Sequence, residues 1–409
     1  MNEATQQYVR QHADDDVRQL ALRGCKDPEV DMPLALQQIQ GRQTARRKLP
    51  TWAACEGVCF PPHLNMEQCS SEPAARYKAA LCRRLLSAHP SPTTLVDLTG
   101  GFGVDFTFMS AAFDQATYVE RDEQLFAISS ANIRLLVATP TTLVCADGTE
   151  YFRTVQRATM FFLDPARRDD HGARTYGMAD CTPDVLTMKD ELLSRSSYVL
   201  LKLSPMLDWR KAVDDLGRDC VREVHIVAVG GECKELLVLL SAEGEGMRLC
   251  CVNDETEFSV DLSDAASDEI DEIWGSPVAG NYLYEPHAAI MKGGCFAALS
   301  RRYGVQSVAR NSHLFVSPHP VADFPGRMFR ISAVATMNKH DLRHTLGDLR
   351  RASITVRNFP LSVADLRKRL RLTDGGDTYL FATTLADGSR VLLVCHRSSP
   401  TKPSQRKGC

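Results

Sequence analysis

The chain lacks most of the signals that assign a function quickly. No run of about eighteen uninterrupted apolar residues occurs, so no membrane span is expected. The N-terminal MNEATQQYVRQHADDD carries no apolar core of the secretory type, so export is not expected either. There is no excess of positive charge: the net charge is −3 over 409 residues, so any contact with a polyanion must come from local basic patches. No CxxC pair and no His/Cys spacing of zinc type is present, and no metal site is expected. The 14 cysteines sit singly in apolar runs, as at Cys145, Cys220 and Cys395, or in the Cys250-Cys251 doublet. They read as reduced, mostly buried thiols of a cytoplasmic protein. Internal repeats are absent, as are GxGxxG and P-loop fingerprints.

What remains is an ordinary composition, 44% hydrophobic and 24% charged, with length enough for two or three domains. Two stretches organise it. TLVDLTGGFGVD, at Thr94–Asp105, is a short apolar run that ends on Asp97 and breaks into a glycine turn. DPARRD, at Asp164–Asp169, follows the apolar run Met160–Leu163. Two buried strands that each deliver an acid and a turn to one sheet edge are how open α/β sheets build a site.

Around them the pattern alternates strand and helix. Strands are expected at Leu95–Leu98, Ala116–Glu120, Thr142–Cys145, Met160–Asp164, Tyr198–Leu203, Glu223–Val229 and Leu236–Leu240. Helices are expected between most of them, as over Asp122–Val137 and Thr182–Arg195. Repeated βα units imply a parallel, doubly wound sheet. Only GGECKE joins the last two strands, too short for a crossover helix, so they should be antiparallel neighbours.

Residues 1–90 read as a helical region, with Ala13–Gly24 and Pro33–Ala45 apolar at three- and four-residue spacing. Arg42, Arg46, Arg47 and Lys48 form a basic cluster, either a solvated helix end or a phosphate contact. Ser71 and Pro73 suggest the start of a further helix. The sheet domain should span 91–280, with a charged strand-bearing segment in EFSVDLSDAASDEIDEIW near its end. A small ferredoxin-like α/β unit is expected over 281–328, with a helix at Ala288–Tyr303 and a strand near His313–Val316. Another α/β unit follows over 329–400, ending in a hairpin that turns at Ala386–Ser389. It carries Arg343, Arg350, Arg351, Arg357, Arg367, Lys368, Arg369 and Arg371.

Glycines at 100, 101 and 103 let the backbone turn tightly and approach a ligand. Glu120 ends the second strand, where an acid can accept from two ribose hydroxyls. Asp147 ends the third, where it could take an adenine amino group. These stretches, with YVERDEQLFAISSANIRLL between them, resemble the class I S-adenosylmethionine-dependent methyltransferases, RNA methyltransferases in particular. The edge hairpin fits that family's seven-stranded Rossmann-like sheet. The Ala131-Asn132 pair recurs in its RNA-modifying members. RNFPLSVADLRKRLRLTDGGDTYLFAT resembles a THUMP-like domain, which implies an RNA partner. The resemblance implies S-adenosylmethionine as cofactor, bound by Asp97, Thr99, Gly100, Gly101, Gly103, Asp105, Glu120, Arg121, Asp147 and Gly148.

In the family's amino-directed members an Asp/Asn-Pro-Pro-aromatic motif ends the fourth strand. Its acid and prolyl carbonyl accept from the target amine, and its ring stacks on the base, so catalysis is positioning and electrostatics. Here the motif is Asp164-Pro165-Ala166-Arg167, and Asp164, Pro165 and Arg167 are the candidate catalytic residues. A guanidinium can stack on a base or bind a phosphate. The expected reaction is methylation of a base nitrogen of RNA. The rivals are uracil-C5 transfer, a protein or small-molecule methyltransferase, and an RNA-binding protein with an inactive fold. Carbon transfer needs a cysteine at the tip of the fifth strand, where Ser204-Pro205 stands instead. Lys202, inside that strand end, reads equally as a snorkelling lysine or a catalytic one. His171, in the loop after the motif, reads equally as a substrate contact or as part of a mobile, solvated lid.

Overall fold

The computed structural model describes residues 1–167, 178, 181–262 and 274–398. Contacts divide the chain into two compact units, Met1–Val229 with Lys234–Glu245, and Gly230–Cys233 with Gly246–Cys409. The N-terminal helices therefore share a unit with the large sheet. Among the described residues no helix is long and apolar enough to cross a membrane.

The first unit opens with α1 Glu3–Gln11, α2 Val17–Arg23, α3 Met32–Lys48, α4 Pro50–Ala54, α5 His63–Gln68 and α6 Glu72–Leu86. Asn2, Asp16 and Asp31 cap the first three through side-chain oxygens. Ser71 stands at the N-cap of α6 without a side-chain bond. Glu72, in the first turn of α6, instead ties it to α4, accepting from the Thr51 amide at 2.8 Å. The basic cluster on α3 is largely consumed by structure. Lys48 donates to the Met66 and Glu67 carbonyls at 2.8 and 2.6 Å, satisfying the end of α5. Arg46 pairs with Asp14, and the Arg42 guanidinium lies 5.9 Å from the Phe60 ring centroid.

The first unit contributes seven sheet strands: β1 Thr94–Asp97, β2 Gln115–Glu120, β3 Thr141–Cys145, β4 Ala158–Leu163, β5 Ser196–Leu203, β6 Val221–Val229 and β7 Glu232–Leu240. Their order is β6-β7-β5-β4-β1-β2-β3. Pairings from β5 through β4, β1 and β2 to β3 are parallel, and β7 runs antiparallel to β5, Leu200 opposite Leu239. This is the seven-stranded Rossmann-like sheet with an antiparallel edge hairpin. The hairpin is tighter than its sequence suggested. Strand β7 starts at Glu232, and Gly230-Gly231 alone turn the chain, with φ of +60° and +82°. Strand β4 (ATMFFL) is buried along its whole length, as a central parallel strand must be.

Crossover helices are α7 Val104–Met109, α8 Glu123–Leu136, α9 Gly148–Thr154, α10 Val185–Ser194 and α11 Trp209–Leu216. Leu81 and Cys82 of α6, Phe106 of α7, Tyr118, Met160, Phe162 and Leu237 form one core against the sheet. A second core joins Trp52, Phe60 and Met66 to Phe102 and Val104, so the N-terminal helices pack directly on the glycine turn. Asn132 reinforces this, accepting from the Cys59 amide at 2.9 Å and donating to its carbonyl at 2.8 Å.

The second unit begins with a hairpin of β8 Arg248–Asn253 and β9 Thr256–Asp261. Only the second of these strands was expected. RLCCVN has no polar alternation, because Leu249–Val252 are all buried. The single helix expected at Ala288–Tyr303 is two, α12 Ala288–Gly293 and α13 Phe296–Tyr303. Gly294, at φ +71°, ends the first in the left-handed conformation that stops a helix.

A mixed sheet holds β10 Tyr282–Pro286, β11 Gln306–Ser307, β12 Phe315–Ser317, β13 Gly326–Thr336, β14 Ser353–Arg357, β15 Thr378–Thr384 and β16 Arg390–Arg397. The order is β11-β12-β10-β13-β16-β15-β14. Helix α14 Lys339–Leu346 follows β13; only β14 and β15 pair in parallel, through the crossover helix α15 Val363–Leu370. Of the arginines in this unit, Arg357 lies 2.8 Å from Glu285, and Arg367 lies 2.6 Å from Asp374. Lys368 and Arg369 are exposed on α15.

Candidate active site

The glycine turn sits where β1 stops, and its geometry is set by packing from beneath. Asp97 is buried under the turn and accepts from the Thr99 amide at 2.9 Å. Burial raises its carboxyl well above the ordinary range, and the charges of Asp105, Asp164 and Glu120 push the same way. Asp97 therefore orders the turn and does not line the cavity above it. Gly100 has no room for a side chain, because a Cβ would fall 2.1 Å from the Tyr118 ring. Gly103 holds φ at +81°, where α7 begins. The Tyr118 hydroxyl and Ser129 Oγ both donate to the Gly101 carbonyl.

Above the turn lies a cavity of about 380 Å³, within the range of small-molecule sites. Thr99, Gly100, Gly101, Gly103, Asp105, Glu120, Arg121, Asp147, Gly148 and Asp164 all line it. Glu120 accepts from the Gly101 and Asp122 amides, one on each oxygen, both at 2.8 Å. A carboxylate has about four acceptor positions, so both oxygens can accept again. Asp147 caps α9, its Oδ1 accepting from Thr149 and Glu150. Next to it, a Cβ on Gly148 would fall 2.0 Å from the Leu98 carbonyl, so β1 and α9 meet backbone to backbone.

Strand β4 delivers Asp164 to the same cavity. Its amide donates to Thr99 Oγ1 at 2.6 Å, tying the fourth-strand motif to the glycine turn. Ala166 lines the cavity; Pro165 is buried behind it. The backbone of Ala166 and Arg167 pairs with Thr182 and Cys181, and Thr182 and Pro183 complete that wall. His171 lies outside the described residues.

Two contributions were not read from the sequence. First, Asn65, Gln68, Cys69 and Ser70, at the end of α5 and before α6, form a wall of the cavity. The proline-rich entry gave no pattern that pointed there. Burial pushes the Cys69 thiol up to about 11, more than the Lys48 and Lys202 charges offset. Second, a ladder of buried charges lies behind Asp105. Lys78, on α6, is 0% exposed; its ammonium lies 3.1 Å from Asp105 Oδ1 and 2.6 Å from Glu235 Oε2 on β7. Ser70 donates to Asp105 at 2.8 Å. Burial would raise the Asp105 carboxyl, but Lys78 and Lys202 hold it below its usual range. Glu235 is raised, chiefly by burial, with Lys78 opposing. Lys202 is no snorkelling lysine: its ammonium pairs with Asp164 and lies 3.7 Å from Asp105.

The fold and this arrangement can be set beside known proteins. A crystal structure described as a "putative methyltransferase from Porphyromonas gingivalis W83" is 32% identical over 97% of this chain and 98% of its own, with a TM-score of 0.85. Residues 282–325 match a ferredoxin-like domain family, and residues 326–397 match the THUMP domain-like family. The chain belongs to the class I methyltransferase family that carries a C-terminal THUMP-like domain.

A SAM-dependent methyltransferase from Agrobacterium tumefaciens is similar over 43% of this chain and 64% of its own, at 15% identity and a TM-score of 0.32. The M. jannaschii tRNA m1G37 methyltransferase is similar over 43% and 51%, at 12% identity and 0.29. Likeness at that level carries no weight here. No curated protein matches the chain.

Proposed function

We propose that the protein is an S-adenosylmethionine-dependent methyltransferase that modifies a base nitrogen of RNA. The observation that carries this reading is the convergence of Glu120, Asp147 and Asp164, from three strand ends, on one cavity beside the glycine turn. That donor set suits the cofactor. Glu120 can accept from ribose hydroxyls, Asp147 has a second oxygen for an adenine amino group, and Gly100 to Gly103 admit close approach. The cofactor would supply an electrophilic methyl on a sulfonium. The protein's part is positioning: Asp164 accepts from the target N–H and directs the nitrogen lone pair. A strong base is not needed. The exposed cations of α15, Lys368 and Arg369, fit RNA phosphates, and THUMP-like similarity favours the same partner.

Carbon transfer fits less well. Ser204 stands at the tip of β5, and the thiol in the cavity, Cys69, is kept protonated by burial. A second reading, an RNA-binding protein without activity, draws on Ala166, which replaces the second proline of the amino-directed motif. Calorimetry and nucleoside mass spectrometry separate the two. The enzyme reading expects S-adenosylmethionine binding that survives Asp164→Ala, and one methylated nucleoside missing from total RNA of a deletion strain. Absence of cofactor binding would refute it.

A further inference from the structure

Lys202 is the one cation on the described wall of the cavity that touches the acid of the fourth-strand motif. Its side chain is 12% exposed, and it lies between Asp164, which it pairs with, and Asp105 at 3.7 Å. Asp164 is therefore fixed from two directions, by Lys202 at its carboxylate and by Thr99 at its amide. The Asp164 side chain is 40% exposed and lines the cavity, and a carboxylate has acceptor positions beyond the one that Lys202 takes. We propose that Lys202 is the positioning residue of the transfer site. It holds one oxygen of Asp164 so that the other can accept a nucleobase N–H, and it offsets part of the cavity's negative charge, tempering its preference for a cationic ligand over a neutral one.

The proposal rests on the reading of the cavity as an S-adenosylmethionine site. The charge behind it is secure. Burial works against the Lys202 ammonium, but Asp164, Asp105 and Glu235 outweigh it and raise its pKa. Removal of Lys202 takes this positive charge out of the cavity. Asp105 would keep Lys78 at 3.1 Å. The cavity would then hold one more net negative charge. S-adenosylmethionine is a sulfonium cation at its reacting centre, whereas S-adenosylhomocysteine is neutral there. One elementary charge in a shared, partly desolvated cavity is worth roughly tenfold in affinity.

The test is calorimetry of both ligands with wild type, Lys202→Met, Lys202→Arg and Asp164→Asn. Preference for S-adenosylmethionine over S-adenosylhomocysteine should rise roughly tenfold in Lys202→Met, return in Lys202→Arg, and fall below wild type in Asp164→Asn. With total RNA from a deletion strain as substrate, Lys202→Met should lower kcat far more than it raises KM, and Lys202→Arg should recover part of the loss. A preference that does not move, or that moves the same way in Lys202→Met and Asp164→Asn, overturns the proposal. If Lys202→Met does not fold, Lys202→Gln takes its place in both measurements, with the same expected and overturning results. Wild-type protein that binds neither ligand overturns the cofactor reading, and this proposal with it. Wild-type protein that binds both while Lys202→Met keeps full kcat overturns only the proposal.

Discussion

Replacement of Lys78 by Met tests the charge ladder without any assumption about substrate. The lysine is 0% exposed and neutralises two buried acids, with Glu235 Oε2 at 2.6 Å and Asp105 Oδ1 at 3.1 Å. Met fills most of the same volume, so the loss is chiefly electrostatic. After substitution Glu235 keeps the Ser70 hydroxyl at 3.4 Å and the influence of the Lys202 charge, and Asp105 keeps Ser70 and Lys202. Breaking a buried pair by removing one partner costs about 3–5 kcal/mol. That is a large share of a typical stability of about 5–15 kcal/mol.

The sign of the pH dependence follows from the two acids. In the native protein Asp105 is lowered, so its contribution is present above the ordinary carboxylate range and lost as pH falls. Glu235 is raised, so its ionisation opposes folding as pH climbs. Without Lys78 both acids are raised, and the folded variant holds protons that the unfolded chain has released. The gap to wild type should therefore be widest near pH 8 and narrow toward pH 5. It should shrink by about 1.4 kcal/mol per pH unit for each proton so retained. Urea unfolding in a Trp274→Phe background reads the relevant unit, because Trp52 and Trp209 both lie in it. A loss below about 1 kcal/mol, or equal losses at pH 5 and pH 8, would refute the reasoning.

Three further outcomes are expected. Glu120→Ala should weaken S-adenosylmethionine binding by roughly ten- to a hundredfold, since hydrogen bonds to a charged group contribute about 1.5–3 kcal/mol; calorimetry showing less than threefold would remove Glu120 from the site. Asn132→Ala should cost about 2–4 kcal/mol in urea unfolding, because it leaves both polar groups of Cys59 without their partner; a loss within about 0.5 kcal/mol would show that solvent replaces it. Lys368→Ala with Arg369→Ala should weaken binding of total RNA and reduce the salt slope by about 0.7 for each phosphate no longer neutralised, with S-adenosylmethionine affinity unchanged; an unaltered slope in filter binding would exclude α15 from the RNA interface.

The sheet was legible because its information is local. Strand β4 is apolar at every position, β1 ends on an acid and a glycine turn, and the six-residue GGECKE segment excludes a crossover. Each is a short-range constraint with few structural solutions. Strand β8 was less legible for the opposite reason. RLCCVN is short and buried on both faces, so it has neither the alternation of an edge strand nor the length of a helix. The split of the helix at Gly293-Gly294 depends on one backbone conformation within an otherwise helical pattern.

The site was legible only as far as strand ends reach. Glu120, Asp147 and Asp164 could be placed because a parallel sheet delivers the ends of neighbouring strands to one edge, whatever lies between them in sequence. Nothing comparable announces Lys78 or Glu235. They are 157 residues apart, and each looks like a surface charge within its own segment. Each offsets the cost of burying the other, and that shared burial is a property of the packed unit rather than of either stretch. The same holds for Lys202. Its one-dimensional context allowed a snorkelling lysine, and what distinguishes it is the carboxylate opposite, 38 residues earlier in the chain. The acids of this site are thus written into strand ends, while the cations that set their charge come from helix α6 and from within β5. The chemistry open to Asp164 depends on both.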